Sequence, residues 1–102
     1  MNKAMNMLGL AMRAGRLVTG EEAVLAAIRS GAAKLVWLSE DAAGNTKKRV
    51  TDKCNHYRVP LIQASDRHEL GHAVGKSERV VVAVTDEGFA RSLTKLVSES
   101  RG

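Results

Sequence analysis

Residues Gly20–Gly44 read GEEAVLAAIRSGAAKLVWLSEDAAG, and this stretch decides the architecture. Gly20 turns the chain into a helix predicted over 21–30. Its first turn holds Glu21 and Glu22, where the helix dipole favours anions. Gly31 supplies the left-handed stop. Leu35-Val36-Trp37-Leu38 follows as an unbroken apolar run, the pattern of a strand covered on both faces. Ser39-Glu40-Asp41-Ala42-Ala43-Gly44 is then a loop at the strand's end. Helix, doubly covered strand and polar loop in succession describe a sheet with helices on both sides.

The flanks continue the alternation. Residues 3–14 are predicted helical: Asn2 is placed to cap, Ala4, Met7, Leu8 and Ala11 share a face, and Gly15 stops the helix. Arg16–Thr19 is a short strand. Beyond the central stretch, Asn45 or Thr46 is expected to cap a helix running to Tyr57, with Val50, Cys54 and Tyr57 on its apolar stripe. Residues 60–63 form a strand. Ser65 or Asp66 caps a short helix that Gly75 ends, and Asp66 with Glu69 has capping-box spacing. Residues 79–84 form the most strand-like run. Asp86 caps a last helix bearing Phe89, Leu93, Leu96 and Val97. The sum is five helices alternating with four short strands in one domain spanning 1–102. In such sheets ligands gather where strands hand over to helices. Gly20, the 39–44 loop and the Gly75–Lys76 turn are candidates for one shared edge.

Composition narrows the function. The chain of 102 residues is 44% hydrophobic and 26% charged, the balance of a folded globule. Its net charge of +5 favours an anionic partner. Residues 1–50 hold eight Lys or Arg against four acids, and residues 51–102 hold eight against seven. A basic surface is therefore expected mainly from the first half. The single cysteine, Cys54, sits on an apolar stripe and reads as a core residue of a protein in a reducing compartment, the cytoplasm. No apolar run approaches a membrane span. The apolar N-terminal segment contains Arg13 and Arg16 where a signal-peptide cleavage site would fall, so it reads as a folded helix.

Several motifs suggest catalysis and fail on context. His68-Glu69-Leu70-Gly71-His72 fits the zinc-protease pattern, but it lies in one short capped helix, Gly71 weakens its middle, and Glu69 is better used in the cap. Gly71–Ser77 approaches a phosphate-binding loop. It is one residue short and leads from helix to strand, the reverse of the true order. Glu40 and Asp41 lack a neighbouring histidine or nucleophile. No enzymatic activity, metal or cofactor is expected. Lys47-Lys48-Arg49 crowds a helix start, where cations oppose the dipole, so a phosphate partner explains the run better than local stability does. Aromatic residues are only 3% of the chain, and Trp37 and Phe89 fall on core positions. Any RNA bound would thus be read through its structured backbone rather than by stacking along a sheet.

The chain also resembles the kink-turn-binding ribosomal protein superfamily, the large-subunit proteins of the seven-Ae and thirty-e types. The matching pieces are Ala11–Gly20, Ala33–Ala42, Val59-Pro60, Glu69-Leu70-Gly71, Ala73–Lys76 and Val80–Val84. Gly20-Glu21-Glu22, Asn45-Thr46, Val50–Cys54 and Val84–Ala90 are similar to its bacterial YlxQ type. Order and spacing make the set specific where single pieces are not.

The resemblance implies a three-layer α/β/α sandwich with a small mixed four-stranded sheet and five helices. It implies recognition of the kink-turn, a sharply bent RNA helix with tandem sheared G·A pairs. By position, Gly20, Glu21 and Glu22 would enter the bend. Val74, Gly75, Lys76 and Ser77 would cover a flipped-out nucleotide that Glu40 helps to hold. Arg16, Lys34, Lys47, Lys48 and Lys76 would supply phosphate charge. The family's Gly-x-Asn-Glu reads Gly20-Glu21-Glu22-Ala23 here, and its basic residue one turn later is Ala26. The expected partner is structured RNA, ribosomal or regulatory, bound by a monomer that could associate with the ribosome. The alternative is a protein-interaction module on the same fold, serving the ribosome or the transcription and translation machinery through the acidic Glu21-Glu22 turn.

Overall fold

The computed structural model describes the backbone of residues 3–101 and the side chains of 3–99. Its elements are α1 (Lys3–Arg13), β1 (Leu17–Thr19), α2 (Glu21–Ser30), β2 (Leu35–Leu38), α3 (Gly44–Tyr57), β3 (Leu61–Gln63), α4 (Arg67–Ala73), β4 (Val81–Val84) and α5 (Glu87–Arg101). The expected cap Asn2 lies outside the described residues.

The sheet order is β1-β4-β2-β3. β4 runs antiparallel to both β1 and β2, while β2 and β3 are parallel. The sheet is therefore mixed, and its two central strands are wholly buried. Side chains alternate across a strand, so each central strand feeds two cores. Leu35, Trp37, Val82 and Val84 pack with Met5, Leu8, Leu70 and Leu93 on the α1, α4 and α5 side. Val36, Leu38, Val81 and Ala83 pack with Val24, Ile28, Val50 and Cys54 on the α2 and α3 side. This is the expected three-layer sandwich. It explains why residues 35–38 read as continuous apolar sequence rather than alternation.

Two helix starts illustrate how local signals fare. Asp66 caps α4 as expected: its carboxylate accepts from the N–H groups of His68 and Glu69, both at 2.8 Å, and Glu69 accepts from the Asp66 N–H. Glu69 is thus engaged in the capping box. At α3 the expectation shifts. The helix begins at Gly44, Ala43 is the N-cap without a side-chain bond, and Asn45 and Thr46 lie inside the first turn. Thr46 bonds instead to a residue of α2, because a side chain half-turned toward a neighbouring helix has a charged acceptor within reach.

Gly71 has a close-packing role. A Cβ there would stand 2.4 Å from Glu78 Cα, because the chain leaving α4 runs back against that helix. Lys76 N–H donates to Gly71 O and Arg79 N–H to Arg67 O along this return.

Candidate nucleic-acid interface

Strands β1, β2 and β3 all end, and β4 begins, at one edge of the sheet. Backbone bonds tie the turns there together. Gly20 N–H donates to Val81 O at 3.1 Å, Ser39 N–H to Val80 O at 2.8 Å, and Glu40 N–H to Ser65 O at 2.8 Å. Gly20 makes the handover from β1 to α2 with φ of 94°, a conformation L side chains rarely adopt. Trp37, 2% exposed, donates its indole N–H to Ala64 O at 3.1 Å and anchors the β3–α4 turn to the core.

Helices α2 and α3 start side by side at this edge, and neither has a side-chain cap. Their first N–H groups and the positive ends of their dipoles therefore face the same region, an arrangement suited to anions. Glu21 joins the two starts. Thr46 Oγ1 donates to Glu21 Oε1 at 2.8 Å, and Arg49 Nε donates to Glu21 Oε2. The bond from Arg49, then that from Thr46, holds the Glu21 carboxyl below its ordinary 4.5, although partial burial opposes them. The same pairing raises Arg49. Across the edge, Asp41 accepts from the Arg67 backbone N–H at 3.0 Å and from Arg67 Nε at 3.3 Å, and its carbonyl accepts from the same guanidinium. Arg79 Nε reaches Thr19 Oγ1 at 3.4 Å.

The structure brings Gly20, Glu21, Glu22, Glu40, Lys47 and Lys48 to this edge, as the sequence suggested. Glu22, Glu40 and Lys48 are exposed, and Lys48 pairs with Asp52 at 3.3 Å on the solvent side of α3. Glu21 is turned inward onto Thr46 and Arg49, leaving Glu22, Ala23 and Ala26 as the open face of α2. Gly75, Lys76 and Ser77 are exposed but stand at the far end of α4, joined to the edge by the return segment through Arg79. Val74 is 4% exposed and belongs to the core, so its side chain is not free to touch a ligand from solution.

Arg16 and Lys34 are not brought to this edge. Lys34 N–H donates to Val84 O and Thr85 N–H to Arg16 O, which places both at the opposite end of β4. Each precedes its strand, whereas the edge collects the residues that follow strands β1, β2 and β3. Arg49, Arg67 and Arg79 take their place as guanidiniums at the edge. Arg49 belonged to a visible basic run, but its ion pair spans 28 residues, beyond any periodic signal. The segments meeting at the edge (19–22, 39–49, 64–67 and 79–81) hold five acids and five cations, so the chain's net +5 arises elsewhere. The two carboxylates nearest the helix starts and the loop, Glu21 and Asp41, are each covered by an arginine.

At this edge the carboxylates of Glu21, Asp41 and Asp66 accept hydrogen bonds within the fold, and among the described residues no group of three or more His, Cys, Asp or Glu is placed to hold a metal ion. Cys54 lies in the core beside Val50, where burial pushes its thiol up to about 11. No described helix is long and apolar enough to cross a membrane.

The chain is 55% identical over 91 residues to "RNA-binding protein YlxQ" of Bacillus subtilis (strain 168), covering 89% of this chain and 91% of that one. It is 46% identical over 95 residues to the protein of the same name from Enterococcus faecium, covering 93% and 91%. Among solved structures, a Bacillus halodurans protein described as of unknown function superposes with a TM-score of 0.93 at 47% identity, covering 96% of this chain and 99% of that chain. The Giardia lamblia 15.5kD RNA binding protein shares the fold, with a TM-score of 0.77 at 19% identity, over 93% of this chain and 82% of that chain. Residues 2–94 match the model of the ribosomal protein L7Ae/L30e/S12e/Gadd45 family, and the chain belongs to that family.

Proposed function

We propose that this protein binds structured RNA of the kink-turn type through the edge where α2 and α3 begin. The observation that carries this reading is the convergence of two helix N-termini without side-chain caps, locked at a fixed spacing by Glu21. Unsatisfied N–H groups and dipole ends in such a pair offer fixed donors to the closely spaced phosphates of a sharp bend. Lys47 and Lys48 add mobile charge beside them. The names of the relatives from Bacillus subtilis and Enterococcus faecium support the RNA partner.

On this reading Gly20 and Glu22 approach the G·A pairs, with Glu22 accepting from guanine edges. Glu21 positions the two helices instead of touching RNA. Glu40 and the Gly75–Ser77 turn flank the displaced nucleotide, while Val74 acts from the core by seating that turn. A gel-shift titration with kink-turn RNA against a duplex whose G·A pairs are replaced by Watson–Crick pairs tests the proposal. Tighter binding to the kink-turn is expected; equal affinity for the two would refute kink-turn recognition.

A further inference from the structure

We propose that the end of the sheet opposite this edge is a second RNA contact, taking an unpaired nucleotide with its base against Tyr57 and its phosphates against Arg29 and Arg58. The proposal rests on the RNA-binding reading above and extends it to a surface that reading does not use.

The two ends of the molecule differ in charge. The edge segments are balanced in formal charge, so the chain's net positive charge, which draws a polyanion toward the molecule, lies on other surfaces. At the opposite end Arg29, Lys34 and Arg58 line a cavity of about 380 Å³ with Tyr57 and Pro60, and Glu87 is the one acid in its wall. That volume falls within the range of about 300–1,000 Å³ typical of small-ligand sites.

The aromatic residue is the second observation. Tyr57 is 41% exposed, while Trp37 is buried and Phe89 packs against the core. His56 packs against its ring in a T-shaped contact, with centroids 4.8 Å apart and planes at 79°, which limits the ring's motion. A base on that ring would have its phosphates within reach of two guanidiniums. Neither the Arg29 nor the Arg58 side chain holds a hydrogen-bond or ion-pair partner among the described residues.

Helices α2 and α3 both end here, and cations near helix C-termini offset the dipole. Lys34 does this directly, donating to Gly31 O at 3.1 Å. Dipole compensation requires neither an exposed ring nor a cavity, and the two arginines bind no terminal carbonyl. An acidic protein would use the cations but would gain little from Tyr57, so a nucleotide fits the combination better.

The test compares a blunt kink-turn duplex with the same duplex carrying a single-stranded uridine tail long enough to pass around the 30 Å molecule. The tail should tighten binding by the wild-type protein at least about fivefold, the lower end of what one stacked base contributes. Tyr57→Ala, or Arg29→Gln with Arg58→Asn, should abolish that gain and leave blunt-duplex affinity unchanged, while Tyr57→Phe should retain it. Asparagine is chosen at position 58 because the residue has φ of 59°. A tail that adds nothing, or a gain that survives both variants, overturns the proposal. So does polyglutamate displacing single-stranded oligouridine at equal charge concentration, which would mark an acidic protein as the partner. Failure of the blunt duplex to bind counts against the proposed function alone, because oligouridine without a duplex still reads the Tyr57 site.

Discussion

Thr46 Oγ1 donates a 2.8 Å hydrogen bond to Glu21 Oε1, and with Arg49 on the other carboxylate oxygen it fastens the first turn of α3 to the first turn of α2. This bond changes the meaning of an acid at the candidate interface. A carboxylate aimed at phosphates would repel them, whereas one satisfied by a hydroxyl and a guanidinium presents little free charge. Arg49 is 55% exposed, so the ion pair is screened and its contribution is discounted accordingly. Glu21→Gln should lower stability by about 1 kcal/mol in urea unfolding at neutral pH.

The pH dependence of that loss follows from the sign of the Glu21 shift. Its carboxyl titrates below 4.5 in the folded chain and near that value when unfolded. The ion pair therefore contributes fully above 4.5 and is lost as pH falls through the lower folded value. The stability gap between wild type and Glu21→Gln should stay level from neutral pH down to about 5 and close below it. Urea midpoints measured across this range check it; a gap that persists in strong acid would mean that Glu21 is held by something other than its charge.

Gly71→Ala should be among the most damaging small substitutions. The added methyl would meet Glu78 backbone atoms at 2.4–2.8 Å, and backbone has no rotamer by which to yield. Overpacking of this kind costs about 1–3 kcal/mol, even though alanine is the better helix former. A urea titration should show reduced stability, together with weaker kink-turn RNA binding as the Gly75–Ser77 turn shifts. Unchanged stability would show that the return segment is free to move away from α4.

This glycine also shows what sequence alone conveys and what it does not. Residues 35–38 announced a strand covered on both faces, and Asp66 with Glu69 announced a helix start, because both signals are local. Gly71 could be noted as a weak point in a helix, but the reason for it is a segment returning seven residues later. The edge itself was legible from the handover points at Gly20 and Ser39. Its charges were less so: Arg16 and Lys34 looked like interface cations by sign alone, and strand direction sends both to the other end. The Thr46–Glu21 bond and the Arg67–Asp41 pair, which span 25 and 26 residues, depend on how the helices pack and have no periodic trace.

Lys47 and Lys48 should act mainly through phosphate charge. Lys48 is 79% exposed and its pair with Asp52 is a surface one, so that pair adds little to stability. Replacing both by alanine should weaken kink-turn RNA binding and reduce the slope of log affinity against log salt by about one unit for each phosphate no longer neutralised. Arg16→Ala with Lys34→Ala, at the opposite end of β4, should leave the slope for a blunt duplex unchanged. A salt titration of each variant separates the two ends, and an unaltered slope in the Lys47 and Lys48 variant would remove that run from the interface.

Cys54 should behave as a reporter of global unfolding. It is 2% exposed within the α2 and α3 core, and burial pushes its thiol up to about 11. Thiolate is the reactive form, so at mildly alkaline pH the folded protein offers a modifying reagent neither access nor nucleophile. Labelling in native buffer should therefore be slow and should accelerate with urea along the same curve as the loss of secondary structure. Cys54→Ala should cost stability through the small cavity it leaves beside Val50, yet leave RNA affinity unchanged, because the side chain lies beneath α3 and not at its exposed start. Fast labelling of the native protein would mean that α3 opens locally, and would make the lock between Glu21, Thr46 and Arg49 the first place to look for the opening.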